Sequence, residues 1–184
     1  MSINRVTLSL CLAIAVAGVA PAEPAVDWPY AGQQQRDIKA LSVNEIEALL
    51  AGKGTGFAKA AELNGYPGPL HVLELAEQLG LSADQRASTE ELFKSMQGDA
   101  RKLGRALIEE ERRLDRLFAS DQADPERIAE ALERIAAVQA RLRGIHLQAH
   151  LVQAAILTPP QVVRYAELRG YAEAHAGHDL QHGH

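Results

Sequence analysis

Apolar residues return every seven positions along two long stretches, and no other feature of the sequence constrains the fold as strongly. In the first stretch, Phe93, Ala100, Leu107 and Leu114 form one row, with Met96, Leu103, Glu110 and Leu117 three positions after each. In the second, Ile128, Ile135, Leu142, Ala149 and Ile156 form one row, and Ala131, Val138, Ile145 and Val152 the other. Rows offset by three and four share one side of an α-helix, so each stretch predicts a long helix with a single apolar stripe. Asp124-Pro125 supplies a capping side chain and then a residue suited to the first helical turn. The short segment around Ser120 and Asp121 leaves room only for an antiparallel neighbour. The result is a helical hairpin with arms of roughly 45–50 Å at ~1.5 Å per residue.

The rest of the composition agrees. Ala, Leu, Glu, Arg and Gln dominate, and aromatic residues make up only 4% of the 184, which favours an all-α fold in a single folding unit. Residues 1–22 read as a secretory signal peptide. Arg5 provides the positive start, Val6 to Ala20 the apolar centre and Ala20-Pro21-Ala22 the small residues for cleavage. The apolar run falls short of the ~20 residues that span a bilayer, and no later run approaches that length, so no membrane insertion is expected after cleavage. Cleavage before Glu23 removes Arg5 and leaves 18 basic against 24 acidic residues. An acidic chain without a basic cluster is a poor partner for nucleic acid. Cys11, the only cysteine, lies inside the leader behind Leu10, which favours soluble export over a lipid anchor. A metal site in the exported chain must therefore use His, carboxylate or Met.

Between the leader and the hairpin, residues 23–65 read as an extended Pro- and Gln-rich arm followed by a short helix. Ser42 and Glu45 form a capping box before VNEIEALL, and Gly52 should end that helix. GKGTG at 52–56 lacks the spacing of a phosphate loop and reads as a turn. NGYPGP at 64–69 breaks the chain and launches a helix from about Leu70 to Leu79, closed by Gly80. Then LSADQ at 81–85 and LTPPQ at 157–161 spell one pattern twice. In each, the hydroxyl residue caps a helix and the Gln three positions on reaches back to the cap.

Histidine is unevenly placed. His146 and His150, in HLQAH, stand one helical turn apart, where two imidazoles can share one metal ion; Leu147 rules out the zinc-protease pattern. They lie inside a broad apolar arc and are expected to be half-buried. Interior histidines hydrogen-bonded to neighbours are an equally good reading of the pair. His71 has Glu74 three positions on, a pair able to chelate or merely to touch at the surface. His175, His178, His182 and His184 crowd residues 172–184, a polar Gly-containing tail suited to weak binding of Cu²⁺, Ni²⁺ or Zn²⁺.

Two Leu-Ser/Thr-x-x-Gln phrases around a long helical hairpin, behind a signal peptide and without other cysteines, resemble the Spy/CpxP periplasmic family. That family includes ATP-independent chaperones and CnrX-type heavy-metal sensors. The resemblance covers residues 66–171. It implies a bent, LTxxQ-type helical hairpin with short flanking helices, usually an intertwined dimer, whose concave face meets clients or whose helix ends hold metal. The sensing branch has histidines one turn apart on an early helix and a His with Met on the last long one. Here His71 stands on the early helix with Leu75 one turn on, and HLQAH matches the late helix with His150 in the thioether position.

Two functions emerge as expectations. The first is a periplasmic metal-responsive homodimer that binds a divalent transition metal (Cu, Ni or Zn) through His71, Glu74, His146 and His150, with the four tail histidines as auxiliary chelators and an inner-membrane sensor as possible partner. The second is an ATP-independent holdase that takes unfolded clients, its apolar cradle rimmed by RKLGR (101–105) and ERRLDR (111–116). Without an activated nucleophile, paired acids or a cofactor loop, no enzyme is expected.

Overall fold

The computed structural model describes residues Trp28–Tyr171; the expected signal peptide and the histidine tail lie outside them. The chain divides after Ala31, and every helix belongs to the unit that begins at Gly32. All regular structure among the described residues is helical: α1 (Val43–Ala51), α2 (Lys59–Glu62), α3 (Pro69–Glu74), α4 (Ala83–Ala119), α5 (Pro125–Ile156) and α6 (Pro159–Leu168), preceded by one 3₁₀ turn at Gln33–Gln35.

Local chemistry sets most of the boundaries. Ser42 accepts from the Glu45 amide while Glu45 accepts from the Ser42 amide, and Gly52 closes α1 in the left-handed region at φ 68°. Ser82 and Gln85 repeat the reciprocal box at α4, and Asp124 caps α5 by accepting from the Arg127 amide at 2.8 Å. The two phrases do more than start helices. The Gln85 amide donates to the Gln161 side-chain oxygen at 2.8 Å, and the Gln161 amide donates back to Gln85 at 3.0 Å. Gln85 also donates to the Ile156 carbonyl, and Gln161 to the Leu79 carbonyl. The starts of α4 and α6 and the end of α5 are thereby tied at one end of the hairpin.

α4 and α5 form the antiparallel hairpin, and its stripe buries Ala100, Leu107, Ile108, Ile135 and Leu142 in the main core. A smaller core lies under α6, where Val72, Leu79, Leu157 and Tyr165 meet. α1 packs across α4 at Gly104, where an added Cβ would sit 2.3 Å from the Leu49 carbonyl oxygen. Only a glycine lets the two backbones approach so closely.

Three expectations need correction. The segment after Gly32 is not an extended arm: Ile38 is fully buried in the main core, and Lys39 binds Asp115 through both its amide and its ammonium at 3.1 Å. One buried aliphatic side chain and an ion pair to a residue 76 positions away outweigh the Pro- and Gln-rich composition around them. The early helix stops at Glu74 instead of running to Leu79, because Leu75 leaves helical geometry at φ −103°, ψ 14°. The turn after it lets Ala76 and Leu79 join Val72 in the buried set. Along α5, the row through Ile135, Leu142 and Ala149 stays buried, but the other row fails at its end: His146, His150 and Gln153 are buried while Val152 is exposed. A straight helix turns every 3.6 residues and drifts off a seven-residue repeat, so the buried stripe walks away from Ile145 and Val152. Glu110, the charged residue in the α4 seam, bonds Arg113 and Arg134.

The Gly104 contact is testable against its neighbours. Replacing a mid-helix glycine by alanine ordinarily stabilises by roughly 0.5–1 kcal/mol. Gly98→Ala and Gly144→Ala, where nothing lies within 4 Å of the new Cβ, should obey that rule. Gly104→Ala should reverse the sign and cost about 1–3 kcal/mol through overpacking. Thermal melts of the three variants check this, and a stabilised Gly104→Ala would refute the close approach of α1.

Candidate functional site

The last turns of α5 carry His146 and His150 into the region roofed by the 52–56 loop, α2 and the start of α3. The loop's shape comes from its residues: Gly52 and Gly56 take positive φ, and Thr55 is drawn to φ 38° between glycines. It frames a cavity of about 450 Å³ whose wall includes His71, His146, His150, Glu62, Met96 and Phe93. The short early helix and the far end of the last long helix thus contribute imidazoles to one cavity.

His146 is 3% exposed and stacks on Phe57, the ring centres 5.9 Å apart and the planes 15° from parallel. Its Nδ1 edge faces Gly54, and its Nε2 is buried without a hydrogen-bond partner. Burial, and to a lesser degree the neighbouring His150, pushes its pKa below the ordinary 6.5. The ring is therefore neutral at physiological pH, the form that ligates metal.

His150 is 9% exposed, and its Nδ1 lies 2.8 Å from the Tyr66 carbonyl oxygen. A carbonyl can only accept, so Nδ1 carries a proton and donates it there, which fixes the ring's orientation. The ring presses on Gly68, where a Cβ would come within 3.0–3.1 Å of Cε1 and Nε2. The NGYPGP breaker thus supplies both the carbonyl that orients this imidazole and the small residue that admits it.

Behind His150 stands Glu62 from α2. Its Oε2 is 3.7 Å from His150 Nδ1 and has no hydrogen-bond partner in the protein. Its Oε1 accepts from the Tyr165 hydroxyl at 2.6 Å. Nothing in the sequence singles out Glu62, because α2 is one turn long and lies in a segment without periodicity. Phe57 and Met96 are equally hidden, since the spacing of Met96 assigns it to the helix seam.

His71 reaches the same cavity from its rim, with its Nδ1 held by Glu74 Oε2 at 2.7 Å and its side chain 35% exposed. Glu74 does not line the cavity. Among the described residues no three His, Cys, Asp or Glu side chains converge closely enough to hold a metal ion as they stand. The tail positions His175, His178, His182 and His184 lie outside the described residues. What the arrangement offers is a pair of buried imidazoles one turn apart, with a carboxylate behind one of them, a thioether in the wall and a third imidazole at the mouth.

A family model described as heavy-metal resistance matches residues 8–164. The chain belongs to the heavy-metal resistance family. This is the LTxxQ group that includes Spy- and CpxP-like proteins and CnrX, a group of resistance and sensor proteins that are not enzymes. No curated protein and no solved structure matches the chain. Among the described residues, no helix of the chain is long and apolar enough to cross a membrane.

The buried imidazole has a consequence for acid stability. As the pH falls below 6.5, His146 protonates in the unfolded chain before it does so in the folded one, so unfolding gains a proton and stability drops. His146→Phe, which keeps an aromatic ring beside Phe57, should flatten the loss of melting temperature between pH 7.5 and pH 5.5. Equal slopes for parent and variant would mean that His146 does not titrate differently on folding.

Proposed function

We propose that this protein is a periplasmic metal-responsive protein that captures a divalent transition ion between His146 and His150. The observation that carries the reading is the state of these two rings. They are buried and one turn apart, His150 with its Nδ1 proton held by the Tyr66 carbonyl and His146 with an unsatisfied ring nitrogen and a pKa lowered by burial. Membership of the heavy-metal resistance family supports it.

Imidazole and thioether donors without thiolate suit borderline ions such as Cu²⁺, Ni²⁺ and Zn²⁺. Two imidazoles leave coordination positions open, and His71 at the rim is placed to fill one once it leaves Glu74. Capture would then tie α3 to α5 across the cavity. Glu74 acts in this scheme as the group that parks His71 while the site is empty. The tail histidines serve as collectors outside the folded site, and a second copy of the chain would cover exposed Leu132, Leu151 and Val152. The holdase alternative receives less support. Within its expected charged rim, Arg112 pairs with Asp37 and Glu109, Arg113 with Glu110, and Arg101 donates to the Ala51 carbonyl. Those guanidiniums are already engaged inside the chain.

A chain with His175, His178, His182 and His184 replaced by alanine isolates the folded site. Cu²⁺, Ni²⁺ or Zn²⁺ should raise its melting temperature, since a ligand at 100 times its Kd adds about 2.7 kcal/mol to a folded state that alone binds it. Adding His146→Gln and His150→Gln should abolish both the rise and the calorimetric heat. A rise that survives those two substitutions, or none in the parent, would remove the folded site.

A further inference from the structure

Tyr165 stands on α6, 103 positions from Glu62, yet its hydroxyl is the donor that fixes that carboxylate. It is 2% exposed, and the Gly68 amide reaches the same hydroxyl at 3.5 Å. Arg169 Nε lies 3.5 Å from the same Glu62 oxygen. Burial, together with the bond to Glu62, raises the phenol pKa well above its ordinary value, so Tyr165 remains a proton donor at any physiological pH. With Oε1 held in this way, Oε2 is turned to the His150 side of the carboxylate, and it is the oxygen left without a hydrogen bond.

This geometry has a specific meaning if Nε2 of His150 receives a cation. A ligating imidazole becomes more positive, and a carboxylate or carbonyl at its other nitrogen stabilises that charge and fixes the ring. His150 has both groups at Nδ1: the Tyr66 carbonyl at 2.8 Å and Glu62 Oε2 at 3.7 Å. Four segments are joined in sequence: α6 holds Glu62 of α2, Glu62 backs His150 of α5, and the 64–68 turn holds both His150 and Tyr165.

We propose that Tyr165 is a positioning residue for the metal site, coupling capture of a divalent ion at His150 to the seating of α6 through Glu62. The proposal rests on the metal-binding reading above and adds to it the element that responds. Coupling is reciprocal: an ion that favours Glu62 in its present place favours α6 docked, and loosening α6 weakens the ion.

Zinc titrations of the full chain, with the four tail histidines replaced by alanine, test this in four forms: parent, Tyr165→Phe, Glu62→Gln and the double variant. Tyr165→Phe and Glu62→Gln should each weaken zinc about tenfold or more. The double variant should bind no more weakly than Glu62→Gln alone, because the hydroxyl acts only through the carboxylate. In parallel, zinc should slow amide hydrogen exchange over residues 159–168 in the parent and not in Glu62→Gln. The parent half of this second measurement stands even if a variant is unstable. Tyr165→Phe binding zinc as tightly as the parent would overturn the coupling. So would an equal loss in the presence and absence of Glu62, or α6 exchange indifferent to zinc. A parent that takes up no zinc overturns the site itself, and the coupling with it.

Discussion

Gln85 and Gln161 donate to each other's side-chain oxygens across one end of the hairpin, at 2.8 and 3.0 Å. Each oxygen also accepts from its own capping residue, Ser82 or Thr158, and each amide reaches a backbone carbonyl at the end of another segment. Partly buried amides left unpaired would each cost about 1–3 kcal/mol, so the pair either forms completely or opposes folding. Its formation decides where α6 begins and which way it runs. Tyr165, one turn after Gln161 on that helix, then arrives over Glu62.

The cavity depends on a second set of constraints, all of them steric. Gly104 lets α1 lie against α4, which fixes where Gly52 and the loop after it begin. Gly68 makes room for the His150 ring, and Gly54 lies beside His146. Larger side chains at Gly104 or Gly68 would push the roof from the histidines. The main core and the cavity meet at Phe57, which packs on the first and stacks on His146 in the second. A change at His146 is therefore felt by packing as well as by charge.

Much of the fold is legible in the sequence because capping acts within three residues. Ser42, Ser82, Asp124 and Thr158 each mark a helix start that the structure keeps, and Gly52 ends α1 as its position suggests. The seven-residue rows locate the hairpin but misassign the final turns of α5. The drift of a 3.6-residue helix moves His146 and His150 from a half-buried flank to the interior. The early helix reads too long because Leu75 and Leu79 continue an apolar pattern that a turn satisfies equally well. Ile38 escapes notice because a lone buried residue in an irregular segment has no period to reveal it.

The candidate site divides along the same line. The spacing of His146 and His150 on one helix face and the pairing of His71 with Glu74 were set by the order of residues alone, because they concern positions within one turn. Tertiary structure alone decided that His71 shares a cavity with the other two and that a carboxylate from a four-residue helix backs His150. It also decided that a phenol on the last helix holds that carboxylate. Tyr66 and His150 are 84 positions apart, and Glu62 and Tyr165 are 103 apart. Contacts across such separations are set by how helices pack, and a local pattern carries no record of them.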